Sequence, residues 1–132
     1  MISYRITVAK VFEPKDVIGK DFIRESGEPI RKCGFVEENQ VFTVDEILSV
    51  PKGFCPHAWY GIFKELWMLR NGNGYPDWTG QNTIYATCPD GIRPVCFKIE
   101  KLDSCVNFNN YVNYLRVKLM FGLAMRLEMI HV

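Results

Sequence analysis

The chain has 132 residues, 48% hydrophobic and 14% aromatic, so it can bury one sizeable core and is expected to form a single globular unit. Its 16 Lys and Arg nearly balance its 15 Asp and Glu, and no basic run interleaved with aromatic residues occurs, which argues against a nucleic-acid partner. No uncharged apolar run reaches the roughly 18 residues of a membrane-spanning helix, and the N-terminus lacks the plan of a signal peptide. A soluble, cytoplasmic protein is therefore expected.

The first half of the chain predicts two strands separated by a loop. Tyr4, Ile6 and Val8 alternate with more polar residues, which is the period of a half-buried strand and predicts one over residues 3–12. Prolines and glycines then interrupt the pattern up to residue 31, so at most one short helical or extended piece is expected there. The β-branched and aromatic run 40–44 predicts the second strand.

Residues 56–70 carry the clearest helical pattern and are predicted to form the central helix. Pro56 suits the first helical position, which makes Cys55 the N-cap, and Asn71-Gly72 predicts a left-handed stop at the other end. One apolar stripe follows the helical spacing and is expected to face the core, with Phe63 and Trp67 flanking it. The stripe consists of Cys55, Trp59, Ile62, Leu66 and Leu69.

A loop and a β-hairpin follow the helix. Residues 71–80 are dense in turn formers, and Trp78 is expected to fold back onto the core. Strands are predicted at 83–88 and 94–101, joined by a Pro-Asp-Gly turn in which Gly91 adopts the left-handed conformation. Alternation then directs Cys88 toward the core and Cys96 away from it.

The last segment predicts a helix over residues 109–130, because leucines recur there at helical spacing. Its apolar stripe needs a partner surface, which could be the chain's own core, a second subunit in a homodimer, or a bilayer interface.

Together the predicted elements indicate an α+β domain over residues 1–102, in which a small, mainly antiparallel sheet packs on one central helix. A C-terminal helical extension occupies residues 103–132.

Several motifs occur in a recognisable order, namely Phe54-Cys55-Pro56-His57-Ala58-Trp59, a Gly-rich loop ending in Pro76-Asp77-Trp78, and Cys88-Pro89-Asp90-Gly91-Ile92-Arg93-Pro94-Val95. Together with Cys33 and the extended segment after it, they resemble a family of small uncharacterised prokaryotic proteins defined only by a computed sequence model. The resemblance covers residues 3–102 and implies no activity. The chain departs from the family pattern where Asp77 interrupts a Pro-Trp pair, where Cys96 replaces a usually aliphatic residue, and after Leu102, where no counterpart exists.

Five cysteines, an odd number without a C-x-x-C pair, are expected to be reduced in a cytoplasmic chain. The simplest interpretation is that they are core residues, since free cysteine behaves as a small hydrophobe. They are Cys33, Cys55, Cys88, Cys96 and Cys105.

The first functional hypothesis is a soft-metal site. Cys33, Cys55 and Cys88 fall at positions that resemble the cysteines of that family, and each stands at an element boundary or turn. Their thiolates could converge there on the helix N-terminus and bind zinc, copper(I) or an iron–sulfur centre. The closely spaced ligand pairs of structural zinc sites are absent from the sequence. His57 or Asp90 could supply a fourth ligand, although an exposed helical position and a turn explain these two residues equally well.

The second hypothesis is thiol redox chemistry at Cys55. A thiol at a helix N-terminus faces unpaired N–H groups and the positive end of the dipole, and both favour its thiolate. No histidine stands at a spacing that indicates a catalytic partner. Arg93, beside the hairpin turn, could receive an anion, although such arginines commonly stabilise a hairpin.

The third hypothesis is a non-catalytic interaction module, whose surface would include Tyr60, Trp67, Tyr75, Trp78 and the C-terminal helix. Trp59 and Trp78 are also accessory candidates for the cysteine site. No phosphate loop, paired catalytic carboxylates or serine triad is visible in the sequence, so an enzyme is not favoured. The substrate or small-molecule ligand, if any, is not indicated.

Overall fold

A computed structural model describes residues 2–72 and 74–102. Four strands and two helices are present in this part of the chain, close to the predicted ranges, and the short first helix falls in the predicted loop. In chain order they are β1 (Ser3–Val11), α1 (Pro14–Ile18), β2 (Val41–Val44), α2 (Pro56–Asn71), β3 (Thr83–Thr87) and β4 (Val95–Leu102).

The four strands form one antiparallel sheet in the order β2-β1-β4-β3. The hairpin strands β3 and β4 pair in register from Thr83 opposite Glu100 to Thr87 opposite Cys96. The central pair β1 and β4 contains a bulge between Val8 and Lys10. The predicted α+β fold, a small antiparallel sheet with a central helix, is confirmed.

One face of the sheet and one face of α2 form the core. Along the strands every second side chain is buried, as in Tyr4, Ile6 and Val8 of β1. The buried face of α2 carries Ala58, Ile62, Leu66 and Leu69.

The buried face of α2 is rotated relative to the predicted stripe. Ala58 is buried, whereas Trp59 is only partly buried at the edge of the core. The Trp59 ring there contacts Phe54 edge-on, with ring centres 5.8 Å apart. A small side chain at position 58 lets the helix approach the sheet, and the large indole is accommodated beside the contact instead.

Two local predictions after the helix are wrong. Trp78 does not cover the core, because its side chain is 80% exposed and contacts Tyr75, at the tip of a loop held by hydrogen bonds between Tyr75 and Gly80. Gly72 has an extended φ of −163° rather than a left-handed one. The Asn71 side-chain amide donates to the Trp67 carbonyl at 2.9 Å and satisfies one of the last carbonyls of α2.

The predicted helix 109–130, its role in a homodimer, the extension 103–132 and Cys105 lie outside the described residues, so these remain predictions. Among the helices that are described, neither combines the length and apolar composition that a membrane span requires.

Candidate functional site

Three cysteines from distant parts of the sequence line one cavity of about 210 Å³. Cys33 comes from the segment between α1 and β2, Cys55 directly precedes α2, and Cys88 directly follows β3. The three are partly buried free thiols and pack against the core. His57, Asp90 and Arg93 share the cavity wall with them, and the rest is mainly apolar, with Phe35, Val36, Ala58, Val95 and Phe97.

Cys55 is the N-cap of α2, as predicted. Its carbonyl oxygen accepts the Trp59 amide at 2.9 Å, but its side chain caps no amide of the first turn. The first amides of a helix lack intrahelical acceptors and carry the positive end of the dipole. Since His57 and Ala58 both line the cavity, this end of α2 lies in the cavity wall.

Cys88 is held by the turn of the hairpin. Its amide donates to the Val95 carbonyl at 3.0 Å, and its Sγ accepts the Val95 amide at 3.3 Å. Asp90 Oδ1 then accepts the amides of Ile92 at 2.9 Å and Arg93 at 3.0 Å. The turn is closed by this carboxylate, so the left-handed conformation predicted for Gly91 is not adopted.

The pKa of Asp90 is lowered by the same contacts. Partial burial acts to raise this pKa, but the amide hydrogen bonds from Arg93 and Ile92 and the charge of Arg93 outweigh it. The carboxylate therefore stays ionised and keeps the turn closed at neutral pH.

Gly61 allows the hairpin turn to approach α2. A Cβ atom at this position would lie 2.7 Å and 2.9 Å from two ring carbons of Pro89, closer than such atoms come in proteins. Pro89 follows Cys88 directly, so the missing side chain of Gly61 brings Cys88 up to the start of the helix. A glycine inside a helical pattern was the only sequence signal of this contact.

Arg93 links the turn to the segment that carries Cys33. Its Nε lies 3.5 Å from Asp90 Oδ2, and its Nη1 donates to the Arg31 carbonyl at 3.1 Å. Since Arg31 precedes Cys33 by two residues, this bond ties the third cysteine segment to the hairpin. The position of Arg93 beside the hairpin turn indicates a candidate residue, but nothing in the sequence indicates the Arg31 carbonyl as its partner.

A shallow groove of about 290 Å³ shares Asp90 and Arg93 with the cavity. Arg24, Ile30 and Ile92 complete its walls. Arg24 stands among many charged residues in the segment 13–31, so no sequence pattern distinguishes it as a site residue.

The remaining predicted site residues lie elsewhere. Trp59 lines a separate open groove with Tyr60, Phe63 and Pro89, and Trp78 lies in the exposed loop after α2. Within residues 2–72 and 74–102, no three His, Cys, Asp or Glu side chains are grouped closely enough to hold a metal ion.

Cys96 lies on the opposite face of β4 from the buried Val95 and Phe97, so it does not join the other cysteines.

Burial raises the pKa of the Cys96 thiol. Because the thiolate is the reactive form, alkylation of Cys96 by iodoacetamide should accelerate only at a higher pH in the folded protein than in the urea-unfolded chain. Peptide mass spectrometry over a pH series measures both profiles. Coinciding profiles would contradict the prediction.

No family model, curated protein or solved structure matches the chain. The resemblance described from the motifs therefore has no support from these comparisons.

Proposed function

We propose that the protein is a thiol redox protein that reacts with small disulfides through Cys55. The observation that carries the proposal is the cavity, whose wall three free thiols from separate segments share with a guanidinium group. A cysteine whose role is only packing has no need of a cavity, whereas a reacting cysteine requires space for the other reactant.

The charge of the cavity wall favours this chemistry over metal binding. Asp90 and Arg93 balance each other in the cavity wall, and the N-terminal end of α2 adds a positive potential that suits an anion and opposes a metal cation. A soft metal such as zinc is the second candidate, and the observation that favours it is that His57 and Asp90 line the same cavity as the sulfur atoms.

The proposed reaction is thiol–disulfide exchange. The Cys55 thiolate attacks one sulfur of the small disulfide, a mixed disulfide forms, and the other half leaves as a thiolate. Cys33 or Cys88 then attacks the Cys55 sulfur and releases the second half, also as a thiolate. The protein is oxidised by two electrons to an internal disulfide, and the small disulfide is reduced to two thiols.

The test uses the reduced full-length protein under anaerobic conditions, with dithiodipyridine as a neutral disulfide. We expect one fast phase, and Cys55→Ser should slow it by about tenfold or more, because the attacking thiolate is lost. Cys96→Ser is the matched control and should leave the fast phase unchanged. Peptide mass spectrometry after a short reaction identifies the modified sulfur, and elemental analysis of the same sample measures bound metal.

Each result decides between the hypotheses. Equal rates in the Cys55→Ser and Cys96→Ser variants would overturn the redox proposal. Stoichiometric zinc that is lost in Cys55→Ser but kept in Cys96→Ser would favour the metal site. If the protein shows no fast reaction and contains no metal, the interaction module is the remaining hypothesis.

The interaction module has an observation in its favour. Tyr60, Trp67, Tyr75 and Trp78 are all exposed, and Tyr60 reaches 84%. On α2 the rings of Phe63 and Trp67 stack with centres 6.3 Å apart. Exposed aromatic residues of this kind are enriched at protein interfaces.

Two further parts of the proposal concern the oligomeric state and the cellular location of the protein. A homodimer through residues 109–130 is supported by the leucine spacing of that segment. A cytoplasmic location is supported by the four free thiols of the described residues, since reduced cysteines are the rule in that compartment.

A further inference from the structure

We propose that the cavity selects disulfides that carry a carboxylate, with the carboxylate held by Arg93 and Arg24 while a sulfur atom reaches the cysteines. This inference deepens the proposed redox function and depends on it. It assigns a substrate class and adds Arg24, which lies outside the cysteine cavity, to the site.

The size of the site indicates how much of a ligand the cavity can hold. The cavity of about 210 Å³ is smaller than most ligand pockets, which begin near ~300 Å³. It therefore admits the reacting end of a small molecule rather than the whole. The groove of about 290 Å³ shares Asp90 and Arg93 with the cavity, so the remainder of the molecule would lie there. Cavity and groove together have the size of an ordinary ligand site.

The charges around the groove indicate which kind of chemical group it favours. Arg24 and Arg93 line it with one carboxylate, Asp90, so one positive charge is left uncompensated among the lining residues. Asp90 is also occupied by the backbone amides of the hairpin turn. The groove consequently favours an anionic group.

The N–H donors of the Arg93 guanidinium group suit the binding of a carboxylate. A guanidinium group has five N–H donors in a planar fork, which suits a carboxylate. Arg93 contacts Asp90 through Nε and the Arg31 carbonyl through Nη1. Its side chain is 32% exposed, so solvent and ligands reach it. Because these two contacts also fix its orientation, little side-chain freedom would be lost on binding.

The test compares two aromatic disulfides, dithiobis(nitrobenzoate), which carries two carboxylates, and the neutral dithiodipyridine. The rate of each with the reduced protein is divided by its rate with a small free thiol, and the ratio of the two values gives the preference for the anion. We expect a preference in the native protein and a decrease of about fivefold or more in Arg93→Gln, since a charge-assisted contact is lost. Arg93→Lys should retain part of the preference.

Arg24→Gln should lower the preference by a smaller factor and provides a second variant if Arg93→Gln folds poorly. Arg70→Gln is the matched control, with the same loss of charge near the C-terminal end of α2. Arg70 lies fourteen residues after Pro56, roughly 20 Å along the helix and beyond the Debye length of ~10 Å at 0.1 M salt, so the preference for the anion should not change in this variant.

Two negative results are distinguishable. If dithiodipyridine reacts rapidly at Cys55 but the preference is the same in the native protein, Arg93→Gln and Arg24→Gln, the selectivity proposal is wrong and the redox proposal stands. If neither disulfide reacts faster with the protein than with the free thiol, the redox function itself fails and this inference fails with it.

Discussion

Replacing Leu66 by alanine is expected to lower the free energy of unfolding by about 2–5 kcal/mol, the range for leucine truncation in a packed core. Leu66 is fully buried in the face of α2 that forms the core with Ile62 and Leu69. The lost methyl groups leave a cavity that the surrounding sheet and helix cannot close completely. Urea denaturation, followed by the tryptophan fluorescence and circular dichroism of the same sample, measures the change.

Tyr60→Ala is the control for this prediction. It removes a larger side chain from the same helix, but Tyr60 is 84% exposed, so the change should stay within about 0.5 kcal/mol. A similar loss of stability in both variants would mean that α2 does not bury the face that carries Ile62, Leu66 and Leu69.

The second large effect is expected from Gly61→Ala. In a helix interior this substitution ordinarily stabilises by up to about 1 kcal/mol, because glycine has a low helix propensity. Here the new Cβ would lie 2.7 Å from a Pro89 ring carbon and 3.4 Å from the Pro89 nitrogen, so the hairpin turn must move. Overpacking of this kind costs about 1–3 kcal/mol, so a net destabilisation is expected.

A double-mutant cycle with Pro89→Ala separates the two contributions. In the Pro89→Ala background the ring is absent, so Gly61→Ala should become neutral or stabilising, and the coupling energy should be about 1 kcal/mol or more. Displacement of the turn should also change the rate at which Cys88 reacts with dithiodipyridine. Additive effects of the two substitutions, with an unchanged Cys88 rate, would contradict the proposed contact.

Local patterns predicted most of the fold because they reflect forces that act along the chain. The alternation of Tyr4, Ile6 and Val8 and the hairpin 83–101 indicated strands, since a strand that buries one face must repeat every second residue. Pro56 and the apolar spacing after it indicated α2 and its N-cap, Cys55. Sequence alone did not determine the turn at Gly91 or the end of α2 at Gly72. Several backbone conformations suit each glycine, and the side chains of Asp90 and Asn71 supply hydrogen bonds there instead.

For the candidate site, the sequence by itself singled out Cys33, Cys55 and Cys88 as a set, through the motif resemblance and their positions at element boundaries or turns. That they line one cavity, that Arg93 and Arg24 border it, and that Trp59 and Trp78 lie outside it depend on the tertiary structure. The physical reason is that these relations arise from contacts between residues far apart in sequence, such as Gly61 with Pro89 and Arg93 with Arg31. No local period or motif encodes such distances, so only the packing of α2, the hairpin and the Cys33 segment decides them.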